Sequence, residues 1–297
     1  LQMFQVHEND HIIEISSKSQ IAYAGINLHE GGRIFEVILN DQRIISDQKG
    51  FPYSQSSASA IMFPFVNRVQ DGKYTFEGKT YQLPINEPAK NNAIHGLLYT
   101  QKFELYDTQV STEHARVTLQ YIYDGNTQGF PFPFHFFVTY TLTETTLKVT
   151  MKVVNTGTAT FPFTIGWHPY FNAENLYEIE IDFNCAVEYT TTDDRSITNG
   201  TTPHALKMPF QLKNNQFDTA YQLENSEIQF STQKYKAIIT GNAATNFVQF
   251  FTPATENIIA IEPTVGLSNS FNNGIGLQTL ASNKTYEIAW TVVIEQR

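Results

Sequence analysis

Two-residue alternation runs through this chain from end to end and leaves little room for any architecture but β. In residues 147–153 (LKVTMKV), Leu147, Val149, Met151 and Val153 fall on one face of an extended segment and Lys148, Thr150 and Lys152 on the other, the pattern of a strand with one side buried. Comparable runs occupy residues 12–15, 34–39, 117–123, 136–142, 177–183, 236–240, 247–252, 258–261 and 286–294. No window longer than about three turns carries the 3.6-residue apolar period of an amphipathic helix. Glu77-Gly78, between 74–76 and 79–81, and Asn155-Thr156-Gly157, after Val153-Val154, read as hairpin turns whose residues tolerate positive φ. The Ser-rich stretch 54–59 reads as a loop. Aromatic content points the same way: 23 Phe, 15 Tyr and 2 Trp suit the pleated, half-buried surface of a sheet. With no linker, repeat or low-complexity tract to divide it, the chain is expected to be all-β, a single large antiparallel β-sandwich over residues 1–297. Two β domains are the alternative.

Charge and cysteine usage narrow the partners. Nineteen Lys and Arg against 29 Asp and Glu give a net charge of −10, a field that repels nucleic acid and anionic lipid but not a neutral small molecule. Cys185 is the one cysteine, which rules out an internal disulfide and a cysteine-based zinc cluster and suits a reducing compartment. The first residues, LQMFQVHENDHIIEIS, lack the basic and apolar regions of a secretory signal, and no apolar run approaches the roughly 20 residues that span a bilayer. A cytoplasmic protein without membrane or nucleic-acid partners, monomeric or a homodimer, is expected. Leu1 and Gln2 read as residues added ahead of Met3.

Three segments are dense in polar and turn residues: Asn67-Arg68 through His95-Gly96, Gly166-Trp167-His168-Pro169-Tyr170-Phe171-Asn172, and Glu262-Pro263-Thr264. Taken singly, His95 reads as a loop histidine beside a glycine and Arg68 as a surface salt-bridge partner. His168 sits among aromatic neighbours, as either a satisfied core histidine or an active one. Glu262 follows the apolar run 258–261 and is expected to end a buried strand at Pro263. It is then either a strand-end charge reaching solvent or a half-desolvated carboxylate with the raised pKa that suits a base near neutral pH.

In combination and order these pieces are specific. Asn67-Arg68, Gly72, Gly78, Tyr81-Gln82-Leu83, Asn86 and His95-Gly96, followed by Gly166-x-His168-Pro-Tyr-Phe-Asn172, Phe217-Asp218-Thr219-Ala220, Glu262-Pro263 and the segment 270–277, resemble the aldose 1-epimerase (galactose mutarotase-like) family over roughly residues 60–290. The resemblance implies a β-supersandwich whose open face binds a free sugar and interconverts its α and β anomers without a cofactor or metal. It implies Glu262 as the base that takes the anomeric hydroxyl proton and His168 as the acid that protonates the ring oxygen. It further implies His95 as a catalytic hydrogen-bond donor near that oxygen, and Asn67, Arg68 and Asp218 as partners of the sugar hydroxyls. Trp167, Tyr170 or Phe171 could stack on the apolar face of the sugar or pack in the core.

The chain departs from galactose-type members at Trp167 and Pro169 beside the histidine, at Asn269-Ser270 and at Ser282-Asn283. These departures leave open a branch acting on hexose 6-phosphates. Phosphate asks for at least two basic groups, for which Arg68 and Lys73 are the candidates. A non-catalytic carbohydrate-binding protein and a glycoside hydrolase, which needs two suitably spaced carboxylates, are the readings from other classes.

Overall fold

The computed structural model describes residues 3–192, 194–213, 215–244, 246–253 and 257–297; Leu1 and Gln2 lie outside them. Strands Phe4–Asn9, Ile12–Ser17, Tyr23–Asn27, Arg33–Leu39 and Gln42–Ser46 pair in sequence order as an antiparallel meander. A second meander follows in Glu104–Val110, Ala115–Tyr123, Phe134–Leu142 and Thr146–Asn155. Thr285–Gln296 extends it and in turn pairs with Tyr235–Gly241.

The long strand Asp218–Ser231 changes partner along its length. Its second half pairs with Tyr235–Gly241 and its first half with Asn246–Phe251. From there the pairing passes to Ile258–Val265 and then to the short strands Ile165–Trp167 and Tyr170–Asn172. Phe171 opposite Ile45 closes the path back to the first meander.

Alternation in sequence becomes alternation in burial: Phe134–Leu142 switches strictly between buried and half-buried positions, as a strand with one face on a core must. Phe63 shows what the aromatic content is for. Its ring meets Phe134 at 4.9 Å, Phe136 at 5.2 Å, Phe163 at 5.7 Å and Phe161 at 6.4 Å between centroids, edge-on or tilted geometries that aromatic quadrupoles favour. Among the described residues no helix is long and apolar enough to cross a membrane.

Four local expectations differ from the structure. Leu176–Glu178 is a 3-10 turn, so the strand expected from 177 starts at Glu180; Asn175 caps the turn by accepting from the Tyr177 amide. Asn155 does not turn a hairpin. It is buried, its amide donates to Ala159 O and Leu280 O at 2.8 Å each, and the chain runs on to pair Phe161–Phe163 with Gln278–Leu280. One helical turn, Tyr53–Ser56, overlaps the start of the stretch 54–59 expected to be a loop. Finally, the strand carrying Glu262 continues through Pro263 to Val265.

Pro263 is tolerated there for a geometric reason. The Ile261 amide donates toward Pro169 O, so the nitrogen two residues on faces the same side, into the gap between Trp167 and Tyr170 where no ladder bond is required. The Glu77-Gly78 turn agrees with expectation: Phe76 pairs with Lys79, and φ of 49° and 75° at the two turn residues mark the twist-matched hairpin type.

Candidate active site

Strand register brings Glu262 and its neighbours onto one face. Gln249 lies opposite Glu262, and Phe251 opposite Ala260, across one pair. Asp218 lies opposite Phe251 across the next, and Tyr170 opposite Ala260 on the other side. Because side chains alternate faces, Asp218, Gln249, Phe251, Ala260, Glu262 and Tyr170 share one surface, with the small Ala260 at its centre. His168 enters from the break between the two short strands, where its amide donates to Ala60 O and its carbonyl accepts from the Ser59 amide. Gly166 allows the approach: a Cβ there would lie 2.7 Å from Thr264 Cγ2 and 2.9 Å from Val66 Cγ1.

The opposite wall comes from 67–68 and 94–96. His95 and Gly96 both have positive φ, 61° and 77°. The His95 amide donates to Asn67 O at 2.8 Å, and that of Leu97 to Phe63 O at 2.7 Å. A Cβ on Gly96 would meet Phe63 O at 2.3 Å, so only glycine fits. The turn places the His95 ring 5.1 Å from the His168 ring at 86°. Among the described residues His95 Nδ1 is buried without a hydrogen-bond partner, so nothing behind the ring fixes its tautomer.

These walls enclose a cavity of about 220 Å³ lined by residues 55–57, Asn67, Arg68, Glu87, Ile94, His95, His168, Tyr170, Asp218, Gln249, Phe251 and Glu262. At its floor His168 Nε2 lies 3.3 Å from Glu262 Oε1. Arg68 grips Glu87 through Nε and Nη2, both at 2.9 Å, and donates from Nη1 to Asn67 Oδ1 at 3.1 Å. Asp218 accepts from Gln249 Nε2 at 2.8 Å.

Burial governs the electrostatics. Desolvation drives the Glu262 carboxyl well above the usual carboxylate range; nearby Asp218 adds to the rise and Arg68 opposes it. Desolvation pulls His168 down to about 4, partly offset by its own backbone carbonyl and reinforced by Arg68. His95 is driven well below the ordinary histidine range by burial, then by His168 and Arg68. Of the two readings of Glu262, the structure has the desolvated one, and the buried pair favours carboxylic acid beside neutral imidazole. At Glu87 burial works against the charge, but bonds from Arg68 and Asn92 and the Arg68 charge hold its pKa low.

Of the residues singled out from sequence, Glu262, His168, His95, Asn67, Arg68 and Asp218 all line this cavity. Trp167 does not. It ends the strand Ile165–Trp167 with its indole fully buried in the core, and Phe171, next to Tyr170 on its strand, faces the core as well. Half-buried Phe251 and the Tyr170 ring supply the aromatic surface instead. Lys73 lies in a separate open cleft of about 330 Å³ with Gln70, Asp71 and Asn272. Gln249, Phe251, Glu87 and residues 55–57 also line the cavity and carry no signal in the sequence. Only the register opposite Glu262 and the fold of the Ser-rich loop bring them in.

A profile of the family described as aldose 1-epimerase matches residues 28–292. The protein YihR of Escherichia coli (strain K12) is 27% identical over 244 residues, covering 78% of this chain and 77% of YihR. Galactose mutarotase of Mus musculus is 28% identical over 175 residues, 57% of this chain and 48% of the mouse protein, so this chain aligns with about half of that relative. In fold, a galactose mutarotase-like protein from Clostridium acetobutylicum superimposes with a TM-score of 0.87 at 18% identity, covering 100% of this chain and 99% of the other. An antiparallel β-sandwich of that fold, matched by the family profile over most of its length, belongs to the aldose 1-epimerase family of carbohydrate isomerases.

Proposed function

We propose that this protein, its whole chain acting as one unit, interconverts the α and β anomers of a free, unphosphorylated aldose. The observation that carries the reading is the Glu262–His168 pair, 3.3 Å apart at the floor of a polar cavity. Mutarotation removes a proton from O1 and adds one to the ring oxygen. Both oxygens are bonded to C1, so base and acid must sit side by side, as these two do.

Glu262 takes the O1 proton as the C1–O1 bond becomes a carbonyl. The bond from C1 to the ring oxygen breaks, and His168 Nε2 gives that oxygen its proton. The pair thus passes from carboxylate and imidazolium to carboxylic acid and imidazole. That is the uncharged form burial favours, which assists ring opening. Rotation about C1–C2 presents the other carbonyl face, and the reverse transfers close the ring. His95, beside His168, donates toward the ring oxygen. Asn67, Arg68 and Asp218 hold hydroxyls, each charged hydrogen bond contributing about 1.5–3 kcal/mol.

Charge supports a free sugar over a hexose 6-phosphate. Arg68 is the one Lys or Arg among the described residues lining the cavity, and Glu87 already engages it at two nitrogens. Asp218 adds negative charge, and Lys73 lies elsewhere. A panel of free and 6-phosphorylated hexoses and pentoses, followed by polarimetry, tests this. Faster anomer exchange of at least one free sugar and none of the phosphates is expected. Binding of sugars without acceleration would make the protein a binding module, and preference for a phosphate would overturn the substrate class.

A further inference from the structure

We propose that Arg195, outside the cavity on the turn after strand Glu180–Thr191, is a positioning residue that orients the sugar-binding Arg68 through Asn92 and Glu87. Arg195 spans the neighbouring turn. Its Nε donates to Lys90 O at 3.0 Å, and its Nη2 contacts Asn91 O at 2.9 Å, Asp71 Oδ1 at 2.9 Å and Asn92 Oδ1 at 3.2 Å. Ser196 docks the same turn, accepting from Lys90 Nζ at 2.7 Å and, at its carbonyl, from Ser268 Oγ at 2.9 Å.

Asn92 is the link. It is fully buried, and its amide is held at both ends: Oδ1 by the Arg195 guanidinium, Nδ2 by Arg195 O at 3.1 Å and Glu87 Oε2 at 2.9 Å. An amide has two nearly isosteric orientations. Only one satisfies all three partners: Oδ1 accepts from the guanidinium while Nδ2 donates to Glu87 and to the Arg195 carbonyl. Without the guanidinium, the buried Asn92 Oδ1 loses that donor, and the amide can shift toward another donor and loosen its bond to Glu87. Glu87 occupies the Nε and Nη2 edge of Arg68 and leaves Nη1 to Asn67 and the cavity. A residue that touches no cavity wall therefore sets the direction of the cavity's cation.

Arg68 is one of several charged or titratable groups near Glu262; the others are His168 and Tyr170 from one side, His95 and Glu87 from the opposite wall, and Asp218 from the neighbouring strand. Loosening Arg68 removes a stabilising positive charge from the carboxylate.

The inference rests on the epimerase reading for its kinetic consequence alone. In Arg195→Met, ¹³C-carboxyl NMR of Glu262, assigned through Glu262→Gln, should show titration at higher pH than in wild type. KM for the sugar should rise about 3- to 30-fold, with Arg195→Lys intermediate. Asp71→Asn, which loosens the same turn without touching Asn92, should leave the titration unchanged. Adding Arg195→Met to Asn92→Ala should cost nothing further. The proposal is overturned if Arg195→Met lowers Tm but leaves the Glu262 titration as in Asp71→Asn, or if the Arg195 and Asn92 effects add in full. Should wild type not exchange anomers, the epimerase reading fails, and the titration still judges the clamp.

Discussion

Glu262 Oε1 and His168 Nε2 lie 3.3 Å apart with side chains only 3% and 6% exposed, so a carboxyl and an imidazole share an environment that disfavours charge on either. The pair should work with one proton between them. kcat/KM is accordingly expected to follow a bell, its acid limb near the depressed His168 value of about 4 and its alkaline limb at the raised Glu262 value. A pH–rate profile flat across both regions would contradict this.

Glu262→Gln should lower kcat/KM by about 10²- to 10⁴-fold without loss of stability. The folded-state pKa of Glu262 is raised, so its contribution to stability is fully present below the unfolded value and lost as pH rises through the folded one. The variant should therefore gain stability relative to wild type as pH increases, which denaturant melts at several pH values would reveal.

His168 has the opposite sign. Its folded pKa is lowered from 6.5 to about 4, so stability present above 6.5 is lost as pH falls toward 4. His168→Asn should remove up to about 3 kcal/mol of that acid-side loss, while lowering activity on the scale of a missing general acid.

Asp218→Asn removes a negative charge that raises the Glu262 pKa. The alkaline limb of kcat/KM should move to lower pH, and KM should rise as a hydroxyl partner weakens. An unmoved limb would show that Asp218 does not reach Glu262 electrostatically.

Trp167 and Gly96 separate packing from chemistry. Trp167→Phe should cost about 1–3 kcal/mol of stability through the cavity it leaves and not change KM, since the indole lies in the core. Gly96→Ala forces a Cβ to within 2.3 Å of Phe63 O at a positive φ. It should cost about 1–3 kcal/mol and also reduce kcat, because His95 is carried by the same turn.

Much of this was legible in the sequence because strands write their period directly. The run 147–153 announces its buried face, and Glu77-Gly78 its turn, without tertiary context. Glu262 and His168 stood out through their neighbours and the family pattern. Residues whose role depends on register stayed hidden: nothing local distinguishes Gln249 or Phe251 until Ile258–Val265 is aligned beside them. Nothing local shows that the strand Ile165–Trp167 ends with its indole in the core while His168, one residue on, lines the cavity. Pro263 looked like a strand end, since its tolerance depends on a gap in a strand nearly a hundred positions away.

The most direct test of the central claim is magnetisation exchange between the two anomeric H1 signals of a free aldose, with wild-type protein and with Glu262→Gln. The account predicts exchange well above the buffer rate with wild type and near the buffer rate with the variant. Equal acceleration by both proteins, or none by wild type with sugars that bind, would contradict it.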